Sequence, residues 1–193
     1  KLTAVVSPSN TNDKSLLWST SDESIATVNK NGVVTPLYPG QVTITATATD
    51  FPEVSASCTL TVNQPVEEIV LSETKLNILV NTTAQLTYEI LPDYTTDKSI
   101  VWLSSKPSVA SVDENGLVTA HKRGTATITV SSKDGSKKTA KATVNVIQPL
   151  YGMALDKTEF RVGRGNTATL TAVLDPKDAS NTKVTWSSSN SNI

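Results

Sequence analysis

Residues 100–130 read IVWLSSKPSVASVDENGLVTAHKRGTATITV, and the class of fold can be read from them. The closing run, Ala126-Thr127-Ile128-Thr129-Val130, alternates apolar and polar side chains and is rich in Thr, Val and Ile. Such a period of two marks a half-buried antiparallel strand. Before it, Asp113-Glu114-Asn115-Gly116 supplies a tight reversal, because Asn and Gly tolerate positive φ. On either side, Leu86-Thr87-Tyr88-Glu89-Ile90 and residues 140–146 alternate in the same way, with Leu86, Tyr88 and Ile90 on one face. Turn signals at Leu91-Pro92-Asp93, Arg123-Gly124 and Lys133-Asp134-Gly135 punctuate these runs. No apolar period of 3.6 residues persists for three turns. About seven strands and no helix are expected, which gives an all-β class and a two-sheet immunoglobulin-like sandwich.

The stretch is one copy of a repeat. Trp102 stands 84 residues after Trp18 and 84 before Trp186, and the same offset carries Pro8 to Pro92 and Pro176. It also maps Leu2 onto Leu86 and Leu170, Gly32 onto Gly116, Gly40 onto Gly124, and Gln64-Pro65 onto Gln148-Pro149. No gap is needed, so one unit of about 84 residues has been duplicated in tandem. The expected domains are residues 1–63, a repeat lacking its first strand; 64–147, a complete repeat; and 148–193, the first half of a third. The chain is therefore expected to be a window onto a longer array. An open edge at either end could be completed by a neighbouring molecule, but a segment that simply stops there is the preferred reading.

Hydrophobic residues make up 37% of the 193, charged residues 18%, and the net charge is −1. A folded, nearly neutral chain of this kind lacks the basic clusters that nucleic acid or an anionic membrane surface would require. No apolar run approaches the roughly 18 residues of a spanning helix, so no membrane insertion is expected in this segment. The single cysteine, Cys58, excludes an intrachain disulfide. It lies in phase with Ala56, Leu60 and Val62 and is expected in the core as a small hydrophobe.

Three strings carry a family resemblance: Val101-Trp102-Leu103-Ser104-Ser105, Asn115-Gly116-Leu117-Val118-Thr119 and Gly124-Thr125-Ala126-Thr127-Ile128-Thr129. They return in the first copy as Leu17-Trp18-Ser19, Asn31-Gly32-Val33-Val34-Thr35 and Gly40-Gln41-Val42-Thr43-Ile44-Thr45. The third copy keeps Val184-Thr185-Trp186-Ser187-Ser188-Ser189. The chain resembles the bacterial Ig-like domain of group 2, similar in fold to the adhesin domains of intimin and invasin. That resemblance implies an extracellular or cell-surface bacterial protein, a phage virion being the alternative, and such domains also serve as accessory modules of secreted hydrolases. It implies no particular ligand.

No enzyme is expected. His121 is the only histidine, it aligns with Leu37 of the first copy, and no nucleophile, carboxylate or metal-ligand pattern accompanies it. A loop or edge position is the expected reading. Asp113-Glu114-Asn115-Gly116 faintly suggests a calcium loop, but its counterpart carries Lys30 where Glu114 stands, so a turn capped by its own side chains is preferred. Catalytic, metal and cofactor-binding residues are thus expected to be none, and cofactors none. Trp18, Trp102 and Trp186 are each expected to anchor a core, and Phe160 aligns with Leu76, an expected core site. Tyr38, Phe51, Tyr94 and Tyr151 remain as exposed aromatics, none repeated between copies, which disfavours a glycan platform.

Between copies lie Val62-Asn63-Gln64-Pro65-Val66 and Ile147-Gln148-Pro149-Leu150. Proline fixes φ and holds the residue before it extended. Repeats so joined are expected to stack end to end with restricted bending. The expected function is a non-catalytic stalk or adhesion segment whose partners are its neighbouring repeats, with a host surface protein or glycan as the alternative partner.

Overall fold

The computed structural model describes residues 1–190, so residues 191–193 of the expected third repeat lie outside the described residues. No described residue is helical. By backbone proximity the chain divides into two compact units. The first is Lys1–Glu68 with the loops Ile90–Ser99 and Ser132–Lys138; the second is Ile69–Glu89, Ile100–Ser131 and the residues from Thr139 onward.

In the first unit five strands form: β1 (Leu16–Thr20), β2 (Ala26–Val28), β3 (Val34–Pro36), β4 (Gly40–Ala48) and β5 (Ser55–Val62). β4 lies between β1 and β5, antiparallel to both, and β2 pairs with β3 as a hairpin. The alternation of β4 puts Val42, Ile44 and Ala46 inside. Leu2, Trp18, Ile25 and Leu60 pack on Ala26, Val42 and Ile44 from the rim. Trp18 is half-buried.

The complete repeat shows why the core of the first copy is shallower. The complete repeat runs through β6 (Glu68–Leu71), β7 (Lys75–Leu79), β8 (Thr83–Gln85), β9 (Tyr88–Leu91), β10 (Ile100–Ser104), β11 (Ala110–Val112), β12 (Leu117–Ala120), β13 (Gly124–Ser132) and β14 (Thr139–Ile147). One sheet has the order β10-β13-β14-β7, and facing strands pair as β11-β12-β8 and β6-β9. Nine segments replace the expected seven. The opening strand breaks at residues 72–74, so that β6 pairs with β9 while β7 runs parallel to β14. β8 adds a further short strand beside β12. Leu76, Leu86, Trp102, Val118, Ile128 and Val144 are buried, and the Trp102 and Tyr88 rings meet in a T-shaped contact with centroids 5.9 Å apart. In the third copy β15 (Gly152–Leu155) and β16 (Ala172–Asp175) pair antiparallel, repeating β6 and β9.

Several expected core residues lie at the surface. Cys58 is exposed, whereas its counterpart Ala142 is fully buried. In the complete repeat β14 is flanked by both β13 and β7; in the first copy β5 has β4 alone, and Cys58 borders an open cavity of about 200 Å³ with Leu2, Trp18, Ile44 and Ala56. Trp186 is 54% exposed and Phe160 48%, because the strands matching β13 and β14, which close the complete repeat, have no counterpart among the described residues of the third. Tyr88 shares its strand with Ile90 yet remains 38% exposed.

Candidate functional site

Among the described residues, no group of three or more His, Cys, Asp or Glu side chains could hold a metal ion. His121 is exposed on the loop after β12, its Nε2 2.8 Å from Ser111 Oγ. The suggested calcium loop is a capped turn: Asp113 Oδ1 accepts the N–H groups of Asn115 and Leu117 at 2.9 and 2.8 Å. Asn29 Oδ1 does the same for Asn31 and Val33, which shows that the position needs an acceptor oxygen and not a charge.

What the fold does repeat is a junction. Gln64 donates its N–H to Thr96 Oγ1 at 2.9 Å, and the Thr96 N–H donates back to the Gln64 carbonyl at 3.0 Å. One repeat on, Gln148 donates to Ser180 Oγ at 2.9 Å and the Ser180 N–H returns to the Gln148 carbonyl at 2.7 Å. The Gln side chains also recur in role, Nε2 donating to the carbonyls of Pro65 and Pro149. Thr96 and Ser180 are held in place by turns that follow Pro92 and Pro176. Both prolines close cis peptide bonds, as Pro8 does, and Thr95 and Ala179 donate to the two proline carbonyls at 3.1 Å. A second contact lies beside each linker. Tyr38 meets Tyr94 with ring centroids 5.1 Å apart, and Arg123 Nη1 donates to the Asp178 carbonyl at 3.0 Å. All four of Tyr38, Phe51, Tyr94 and Tyr151 are exposed, but two of them stack on one another.

The linker is fastened to a further loop as well. Asp134 Oδ2 accepts the Val66 N–H at 2.6 Å, while its Oδ1 accepts the Ser136 hydroxyl at 2.6 Å. The hydrogen bond from Ser136 and that from Val66 bring the Asp134 carboxyl down from 3.8 to about 2. Asp13, Asp22 and Asp97 are lowered too, each chiefly by the serine two residues on. This Asp-x-Ser pattern was available in the sequence as a turn signal, although its link to the incoming strand was not. All four carboxylates are depressed on folding, so their contribution to stability is present above the ordinary carboxylate value of 3.8 and is lost as pH falls below it, for Asp134 towards about 2. The melting temperature is therefore expected to hold from about pH 7 to 5 and drop between about pH 4 and 2.5. Asp134→Asn keeps the Oδ1 acceptor for Ser136 but puts an NH₂ group where Oδ2 accepts the Val66 N–H, so it should lower stability near pH 7 and flatten part of that drop. A melt unchanged down to about pH 2.5 would show that these caps contribute nothing.

The architecture defines immunoglobulin-like sandwiches in tandem, joined by a repeated linker. The chain belongs to the bacterial Ig-like domain (group 2) family, whose model matches residues 1–60, 65–144 and 150–193. It is 36% identical over 173 residues to an uncharacterized protein of Clostridium acetobutylicum, covering 83% of this chain and 18% of that protein. It is 30% identical over 183 residues to ice-binding protein 1 of Shewanella frigidimarina, covering 90% of this chain and 20% of that protein. Among solved structures, the C-terminal fragment of intimin in complex with the intimin-binding domain of its translocated receptor is similar at 22% identity and a TM-score of 0.39, over 69% of this chain and 53% of that one. The chain thus spans about a fifth of the length of these curated relatives.

Proposed function

We propose that these residues are a non-catalytic stalk or adhesion segment of a bacterial extracellular or cell-surface protein, holding a terminal binding or catalytic domain away from the surface. The observation that carries the reading is the repetition itself. Sandwich, turn and linker bonds recur at a spacing of 84 residues, whereas no exposed aromatic or titratable cluster recurs with them. Selection that keeps the joints and varies the surface is selection for mechanical continuity. A ligand-binding array would instead keep its surface anchors, since a few buried aromatic or Arg side chains carry most binding energy.

A second reading places binding in the repeats themselves, through loops at one end of the sandwich and with a host surface protein or glycan as partner. Phe51 and Tyr151, 61% and 74% exposed and outside the strands, favour it, because aromatic side chains are frequent binding anchors. Deleting residues 64–147 from the parent protein separates the two. On the stalk reading, surface attachment falls and is restored by an unrelated Ig-like repeat of equal length, and the purified 193-residue chain does not compete. Competition by that chain, or failure of the substitute, would favour the second reading.

A further inference from the structure

We infer that the second and third repeats each carry a built-in receptor for the Gln-Pro linker entering them, so that consecutive repeats meet at a fixed joint and not at a swivel. What is held is the Gln-Pro linker that directly follows the closing strand of the preceding repeat, recognised by a Thr or Ser hydroxyl and the backbone N–H beside it.

The first support is the absence of slack. Val62 is still paired with Gly40 of the first repeat, and Gln64 is already bonded both ways to Thr96 of the next. Asn63 alone lies between. At the second junction Ile147 is still paired with Leu79, and its immediate neighbour Gln148 is bonded both ways to Ser180. No free residue is left there. The following Pro65 and Pro149 hold both glutamines extended, the conformation in which N–H and carbonyl can face one partner together.

The second support is contact away from the linker. A single hinge line would still permit rotation about itself; a second point beside it does not. Tyr38 on Tyr94 supplies that point at the first junction, and Arg123 on the Asp178 carbonyl at the second. Tyr94 and Asp178 are equivalent positions of the repeat, and Tyr38 is the counterpart of Lys122, the neighbour of Arg123. One geometric position is thus filled by two chemistries, an apolar stack and a cation on a carbonyl. Such variation fits selection on a restraint, not on one particular bond. The third support is Asp134, which clasps the Val66 N–H and seats that side chain, only 1% exposed, in the repeat it enters.

The inference rests on the stalk reading for its purpose, and its test is independent of that reading. Amide exchange is followed by NMR on the intact 193-residue chain. The Gln64, Thr96, Gln148 and Ser180 amides are expected to exchange more slowly than unstructured peptide. Thr96→Val should speed exchange at Gln64 by about threefold to tenfold, the effect of losing one net hydrogen bond, and leave Gln148 and the β13 and β14 amides unchanged. Thr96→Ser should retain protection, as Ser180 does naturally. Ser180→Ala repeats the test at Gln148 should Thr96→Val disturb β13 and β14. Unprotected Gln64 and Gln148 amides in the unaltered chain, or indifference of both to these variants, would overturn the fixed joint. A swivelling junction in a parent protein that still passes the repeat-replacement test would sink this inference alone.

Discussion

Replacing Trp102 by alanine is expected to cost the complete repeat about 3–5 kcal/mol, while the same change at Trp186 is expected to cost its own copy clearly less. The contrast follows from burial. Trp102 is 8% exposed and Trp186 54%. Burying an indole removes roughly 150–250 Å² from water, worth about 4–6 kcal/mol at about 25 cal/mol per Å². Against a margin of about 5–15 kcal/mol for a typical domain, the loss is large. Trp18, half-buried beside an open cavity, should fall between the two. Trp102→Phe should cost less than alanine for a separate reason. The Trp102 Nε1 is buried with no partner among the described residues, and such an orphaned donor carries a penalty of about 1–3 kcal/mol that phenylalanine sheds. A chain of several repeats does not unfold in two states, so the measurement is amide exchange across a urea series in the copy that holds each tryptophan: β13 and β14 for Trp102, β4 and β5 for Trp18, β15 and β16 for Trp186. Equal losses for Trp102→Ala and Trp186→Ala would defeat the assignment of Trp102 as the core anchor.

That gradient from Trp102 to Trp186 also marks how far the sequence could be read. The 84-residue offset, the strands, the absence of helix and the capped Asn-Gly turns were all legible, because each depends on residues close in sequence or on exact recurrence. Burial was not transferable between copies. Cys58 and Ala142 hold the same repeat position, yet burial depends on whether a strand like β7 lies beyond the next edge, and no alternation within the strand reports that. Phe160 fails in the same way: its side chain fits a core, but the strands that would cover it are not among the described residues. The junction was legible only in part. Gln-Pro was visible as a recurring linker, and proline argued for restraint. The partner hydroxyls of Thr96 and Ser180 differ in residue type and lie 32 residues downstream of their glutamines, so no local pattern pointed to them. Tyr38 and Tyr94 looked unrelated because they occupy different repeat positions, and a search for aromatics at the repeat spacing passes over a pair whose members come from two copies.

Gly116→Ala is expected to destabilise the complete repeat nearly as much as loss of the indole, by roughly 2–5 kcal/mol. Two costs combine there. Gly116 has φ +83°, which an L side chain adopts at about 1–2 kcal/mol. An added Cβ would also stand 2.5 Å from the Leu86 carbonyl oxygen and 2.9 Å from Trp102 Cζ2, and overpacking of this kind costs about 1–3 kcal/mol. Neither neighbour can yield cheaply. The Leu86 backbone is held by its own N–H donating to the Gly116 carbonyl at 3.0 Å, and Trp102 is wedged against Tyr88. The tryptophan and the Asn-Gly turn are therefore one packing unit, which is why they recur together: Gly32, at φ +70°, would bring a Cβ to 2.7 Å from the Leu2 carbonyl and 3.0 Å from Trp18 Cζ2. Gly135 provides the control, with φ +90° and only open space within 4 Å of the point where a Cβ would stand. Gly135→Ala should show the conformational cost alone, about 1–2 kcal/mol. Urea-dependent exchange of the β13 and β14 amides reads both variants, and an equal effect at the two glycines would mean that the turn does not rest on the indole.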